Sequence, residues 1–561
     1  TTYGRDVIGI GQEADGNHVE SRGLDSLKIS NPSALGDGDY LLVGNDGGSF
    51  APSASVGQEA TQRFTKVWRA GVTGTPGNID LTFYLGANDF AIDPNKYMIL
   101  IGNVNGDFNV GGTNTHETGR VYDAVNKTIS FTDLSLVDGA YFTLAEKSDF
   151  IQPYTSLEFG PGGVGNDANI LGWMDASKIP TLGNGDAVTT WLDISGNNND
   201  LEQFSGLNIP LFRTSSVNGL PAVSFDGVDD FLEFNSNITT GDVTIFTVYS
   251  NTKPGGNGGL LTLSKHSLLA QKNLFTGLYS QQFRVAKNNN SFSISSLQTD
   301  GLASGSNLRL SNNASVTNYT RGSLSNYSNS SVGKFGSLYF GGLTAEFIIF
   351  NEQINSAKRN IVSNYLAAKY NLTAEQNLFT YTTTYGRDVI GIGQEADGNH
   401  LESRGVDSML INNPSALGNG DYLLIGNNGA DFSTSTDVGV LTTQRWNKIW
   451  RADVTGTPGT IDLVFYLGGD DFAVDPNNYA VLIENVDGDF GNGGTSVQET
   501  GRVYSALTKT LTFTGITLND GDYFTIAEKG PITAIATGNW EATSTWSCDC
   551  VPTASSAVTV P

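Results

Sequence analysis

A chain of 561 residues exceeds what one hydrophobic core usually serves, so three or four domains are expected. Its 68 Gly, with many Asn, Ser and Thr but only three Met and four His, suit the turns of short-stranded proteins, and an all-β chain follows. Acidic residues outnumber basic ones by 57 to 31, and the net charge of −26 argues against nucleic acid and anionic membrane, which both require clustered Lys and Arg.

The chain opens on TTYGRDVIGIGQEADGNH, where Gly9-Ile10-Gly11 stands beside Glu13 and Asp15. A dinucleotide loop needs a third glycine and a P-loop needs a Lys, and both are absent; the two carboxylates would repel phosphate. The stretch therefore reads as a strand over 6–11 that ends in a turn over 14–17. Further strands are predicted at 40–43, 79–85, 97–101, 128–131 and 141–145, the second of them alternating apolar and polar residues. With turns such as Gly-Asp-Gly-Asp between them, some eight to ten short strands over 1–148 predict a β-sandwich. Arg63, Trp68 and Arg69 are expected to make cation–π or ion-pair contacts inside it.

Asn103, Asn105 and Asp107 place oxygen side chains at the spacing of the first three ligands of a calcium loop. The closing acidic residue is missing, Asn114 standing in its place, and a hairpin turn explains the pattern equally well.

Residues 149–169 have the composition of a linker, with Gly-Pro-Gly-Gly-Val-Gly near the end. A second kind of domain follows over 170–377. Its one clear helix is predicted at 356–370, where Ile354, Ala357, Ile361, Tyr365 and Ala368 share one face. From Thr383 the opening words return. Residues 1–147 align with 383–529 without a gap, with roughly two-thirds of positions identical, so a second β-sandwich is expected over 378–530. Asn485, Asp487 and Asp489 repeat the calcium-like spacing, with Ser496 at the closing position. The tail, 531–561, reads as the truncated start of a further β module. Its Cys548 and Cys550 lack the second pair or the His of a zinc site and form a candidate local disulfide.

The middle domain carries LGWMDAS, TTWLDISGNNNDL, VNGLPAVSFDGVDDFLEF, TIFTVYS and AEFIIFNEQINSAKRNIVSNYLAAKYNL in order. That series resembles the laminin-G-like (concanavalin A-like) jelly rolls of large secreted Bacteroidota proteins. The duplicated domain resembles the β domain that follows such jelly rolls, and GNWEATSTWSCDCVP resembles the start of modules in the same type IX-secreted chains. The resemblance implies a piece of a giant repetitive cell-surface adhesin of the gliding-motility kind, extracellular and attached to the outer membrane. Thr1 would then fall inside a repeating unit. Asp25-Ser26-Leu27 and Asp407-Ser408-Met409 resemble a short O-glycosylation word of that group.

Within the jelly roll, Asp193, Asp226, Asp229 and Asp230 sit in family-like words. Such carboxylates hold calcium in some domains and close Asx turns in others. Tyr279, Tyr319 and Tyr327 are candidates for stacking on a sugar, or for packing. Glycoside hydrolysis needs two carboxylates across a groove; Glu346 has no evident acidic partner, Glu352 lies past the strand, and His18, His116, His266 and His400 lack metal spacing. The expected role is therefore non-enzymatic: an adhesin or stalk segment with calcium as the one cofactor considered. Its expected partners are extracellular glycans or surfaces and the neighbouring domains of the same chain, with no nucleic acid and no membrane insertion. A self-associating filament module and a polysaccharide-acting hydrolase are the alternatives.

Overall fold

The computed structural model describes residues 2–24, 27–53, 60–88, 97–102, 108, 114–116, 118–147, 160–166, 168–179, 182–203, 205–238, 241–252, 258–264, 266–271, 274–277, 283–287, 290–300, 305–320, 330–406, 409–438, 442–467, 470–473, 475–491, 495–505, 509–530, 532–546 and 558–560. The chain is nearly all β, and it forms two compact units, Thr1–Pro153 and Tyr154–Pro561.

In the first unit two antiparallel sheets face each other. One runs Asn114–His116, Tyr97–Gly102, Tyr141–Lys147, Trp68–Thr73, Tyr40–Asn45, Arg5–Glu13, Gly16–His18; the other runs Val121–Asp123, Thr128–Leu134, Ile79–Tyr84, Leu27–Ser30, Glu20–Arg22. The alternation at Ile79–Tyr84 decides which side chains enter the core: Ile79, Leu81 and Phe83 are buried, while Asp80, Thr82 and Tyr84 are half-buried. Trp68 stacks on Phe142 with centroids 5.9 Å apart. Fourteen strands, several of two or three residues, appear among the described residues, against the eight to ten expected. Arg5–Glu13 pairs with both Gly16–His18 and Tyr40–Asn45, so the opening stretch is a strand and tight turn.

The second unit holds both the jelly roll and the second copy of the β domain. One jelly-roll sheet centres on Gly341–Phe350 and Val243–Asn251, which are buried along nearly their whole length. Val243, Ile245 and Tyr249 point to the core shared with the second sheet, whereas Phe246 and Val248 point outward to the helix α1, Ser356–Tyr370. A sheet covered on both faces needs apolar residues on both, hence the near-continuous runs TIFTVYS and AEFIIF. Asn355 caps α1, accepting from Lys358 N–H, and Asn371 ends it in the left-handed region at φ 51°. The second copy repeats the strand order of the first, with Trp450 stacked on Phe524 at 5.9 Å.

The jelly roll and the second copy are not separate beads. One apolar cluster runs from Phe246, Val248 and Ile348 of the jelly roll through Ile361, Tyr365 and Leu366 of α1 to Val389 and Leu424 of the second copy. The boundary expected at 377/378 thus falls inside a continuous core. Of the expected linker, 149–159 lies outside the described residues. Residues Pro161–Gly163 form a buried 3₁₀ turn against α1 and the second copy.

Candidate functional site

Of the candidate calcium residues, Asn103, Asn105 and Asp107 lie outside the described residues, as do Cys548 and Cys550, Tyr279 and Tyr327, and the Asp-Ser pairs at 25–26 and 407–408. Asp193 is buried, and both its oxygens serve the fold. Its Oδ1 accepts from Trp173 and Ser195 N–H (2.8 and 2.9 Å), and its Oδ2 from Ser195 Oγ and Asn199 N–H (2.9 and 3.0 Å). Asp226, Asp229 and Asp230 do come together, each with a carboxylate oxygen within 4.8 Å of the others. Here too the backbone is served: Asp226 Oδ1 accepts from Val228 N–H (2.7 Å), and Asp230 Oδ2 from Asp226 N–H (2.8 Å). Burial pushes the Asp230 carboxyl up to about 6, the neighbouring carboxylates adding to the effect.

The loop holding Asn485, Asp487 and Asp489 is organised from below by Glu484, which accepts from the N–H groups of Val486, Asp487 and Gly488 (2.5, 3.0 and 2.6 Å). Glu484 itself is buried, and its counterpart in the first copy is Gly102. Tyr319 packs at a tilt against Phe283, ring centroids 4.8 Å apart, and its hydroxyl donates to Arg284 O (2.6 Å). The repeated arginines do lie on aromatic rings, Arg63 on Phe108, Arg69 on Tyr141, Arg445 on Phe490 and Arg451 on Tyr523.

Glu346, read from the sequence as without an acidic partner, has one. Strand register sets it opposite Asp175, and Lys369 of α1 reaches between them, its Nζ 2.6 Å from an oxygen of each. Trp173 Nε1 and Tyr370 OH also donate to Glu346 (both 2.7 Å), and Ser177 donates to Asp175 through N–H and Oγ. Burial raises the Glu346 carboxyl against the pull of Lys369. Burial also opposes the charges on Asp175 and Lys369, but their attraction wins: the Asp175 carboxyl lies below its ordinary value and the Lys369 ammonium well above. Both carboxylates are at most 2% exposed and lie under the helix, so the cluster holds α1 to the sheet instead of opening onto a groove.

The other side of α1 meets the second β domain through polar contacts. Asn360 Nδ2 donates to Tyr422 OH (2.9 Å), Ser356 N–H and Oγ donate to Asp397, and Asn355 Nδ2 donates to Asn399 O (2.9 Å). Asn364 fills all its valences: Nδ2 donates to Asn360 O and Gln376 O, while Oδ1 accepts from Leu378 and Phe379 N–H. The strap after the helix then crosses the second copy, with Thr380 donating twice to Asp453 (2.7 and 2.8 Å). The turn at 160–163 closes the seam, since Ser403 Oγ donates to Gly162 O and His400 Nε2 lies 3.0 Å from Gly163 O. A Cβ on Gly163 would stand 1.9 Å from Ser403 Oγ, and its φ of +75° also favours glycine.

The family described as Domain of unknown function (DUF8202) matches residues 1–139 and 358–522. No curated protein matches the sequence. Among solved structures, domain 4 of AbnA, a GH43 extracellular arabinanase from Geobacillus stearothermophilus in complex with arabinotriose, is similar at 9% identity. That match covers 34% of this chain and 96% of the other, with a TM-score of 0.25. A GH54 a-l-arabinofuranosidase matches at 13% identity over 53% and 80% of the two chains, with a TM-score of 0.27. A mutant of Trypanosoma rangeli sialidase displaying trans-sialidase activity matches at 10% over 62% and 82%, with a TM-score of 0.29.

Proposed function

The chain belongs to the DUF8202 family, and we propose that it serves as a non-catalytic segment of an extracellular, outer-membrane-attached adhesin in which a jelly roll and the β domain behind it act as one rigid unit. The observation that carries this is the single apolar core running from the jelly-roll sheet through α1 into the second copy. A surface fibre under drag has to transmit force. Domains on flexible linkers hinge, whereas a shared core yields only when both sides lose their packing together. Pulled between its ends, the full chain is expected to lengthen in two main steps, one for each compact unit. Separate steps for the jelly roll and the second β domain would overturn the reading.

The finer parts of the proposal are export by type IX secretion and capture of extracellular glycans by the jelly roll. A glycan array probed with the full chain tests the capture, and absence of signal reduces the jelly roll to a spacer. Release of reducing sugar from a polysaccharide panel would replace the adhesin by a glycoside hydrolase.

A further inference from the structure

The two copies of the β domain bury the same face to different extents. In the second copy Val389 and Leu424 are 1% and 0% exposed, under α1 and its strap; their counterparts Val7 and Leu42 are 54% and 50% exposed. Beside Val7 and Leu42 lies an open groove of about 770 Å³ walled also by Tyr3, Arg69 and Asp138. In the second copy the counterparts of those walls hold the strap. The Arg451 guanidinium lies 3.6 Å from the Tyr381 ring, Tyr381 OH donates to Asp520 Oδ1 (3.2 Å), and Phe379 packs beside Gly426. The first copy keeps the same residue at each of these positions, although the two copies diverge over 51–60. One contact differs: Asp453, which anchors Thr380, is replaced by Gly71. In the second copy the family match begins at Lys358, inside α1, so the helix belongs to the domain as the family defines it.

We propose that the groove of the first copy is the docking site for the helix and strap of another jelly roll, a segment with the chemistry of residues 354–382. Such a segment is a helix whose Ile361, Tyr365 and Ala368 present an apolar stripe, followed by a Phe-x-Tyr anchor. The stripe covers Val7 and Leu42, and the anchor takes Arg69 and Asp138. This rests on the reading of the second-unit seam as a joint, and it makes that joint the means by which successive units connect.

The test places residues 154–382 in front of Thr1 of the full chain, which reproduces the junction at Thr382–Thr383. Thiol labelling is read at Leu42→Cys, with Cys548→Ser and Cys550→Ser removing the native thiols. In the unextended chain Leu42→Cys labels as an exposed thiol. In the extended chain labelling is expected to slow by about a hundredfold or more, as the joint must open before reagent enters. Phe379→Ala in the added segment should restore fast labelling, which separates docking from mere crowding. Val7→Cys repeats the reading should Leu42→Cys misfold. An unchanged rate in the extended chain, with Leu424→Cys protected, overturns the docking and leaves the second-unit joint standing. Leu424→Cys labelling as fast as Leu42→Cys overturns the joint itself.

Discussion

Lys369 holds two buried carboxylates apart from each other and together with α1, and its loss would leave both charges without a counter-ion. Breaking a buried pair from one side costs ~3–5 kcal/mol, because the remaining charge stays desolvated. Lys369→Met is expected to destabilise the second unit by about that much in urea unfolding; a near-neutral result would show that water reaches the cluster. The depressed Asp175 carboxyl contributes stability that is present above its unfolded value of 3.8 and lost as pH falls through its folded value. The raised Lys369 ammonium contributes stability that is present below 10.5 and lost as pH rises through its folded value. Asp230 has the opposite effect to Asp175. Its folded carboxyl keeps a proton between 3.8 and about 6 where the unfolded chain has released it, so stability falls as pH rises through that window. Asp230→Asn, which keeps an acceptor for Asp226 N–H, should flatten that part of the profile in thermal melts from pH 4 to 7 relative to the parent, and bound calcium would flatten it in the parent as well. The Asp-rich words at 193 and 226–230 were legible as turn-closing or metal-binding groups. The partner of Glu346 was not, because Asp175 reaches it only through the pairing of two strands distant in sequence.

The helix shows the same division one level up. Its existence, bounds and one apolar stripe were readable from spacing, since Ile354, Ala357, Ile361, Tyr365 and Ala368 recur at helical intervals. That the helix is buried nearly all round was not readable, because it also carries Arg359, Asn360 and Asn364, which in isolation mark a solvated face. Each is buried with a partner: Arg359 donates to Gln298 and Ser356, Asn360 to Tyr422, and Asn364 to the strap. Asn364→Ala would leave the Gln376 carbonyl and the Leu378 and Phe379 N–H groups without their bonds inside the core. An unsatisfied buried polar group costs ~1–3 kcal/mol, so this variant should cost about 2–4 kcal/mol in chemical unfolding. Asn364→Asp, which keeps the acceptor but loses the donor and adds a charge, should be no better. The Gly-Pro-Gly-Gly run misleads in the same way. Glycines at φ +72° and +75° look like linker residues in the sequence, and here they let a tight turn enter the seam beside Ser403.

At the scale of the whole chain, local sequence alone does not reveal burial. Val7 and Val389 sit in identical decapeptides, yet one is half in solvent and the other is sealed under α1 and its strap. The repeat was therefore legible and the joint was not. This asymmetry carries a calorimetric prediction. The second unit should melt in one endotherm and the first in its own, because the apolar cluster through α1 couples the jelly roll to the second copy. Ile361→Asp places a charge at the centre of that cluster, where Ile361 meets Gly162 on one side and approaches Gly391 on the other. Each sandwich still has a separate core of its own, one around Trp191 and Phe347 and one around Trp446 and Trp450. Burying an unpaired carboxylate should thus break the coupling and spare both folds, splitting the second unit's endotherm into two while the first unit's transition stays where it was. A single endotherm that only shifts downward would place the cooperativity elsewhere, in the ion cluster at Lys369 or in the strap beyond Asn371.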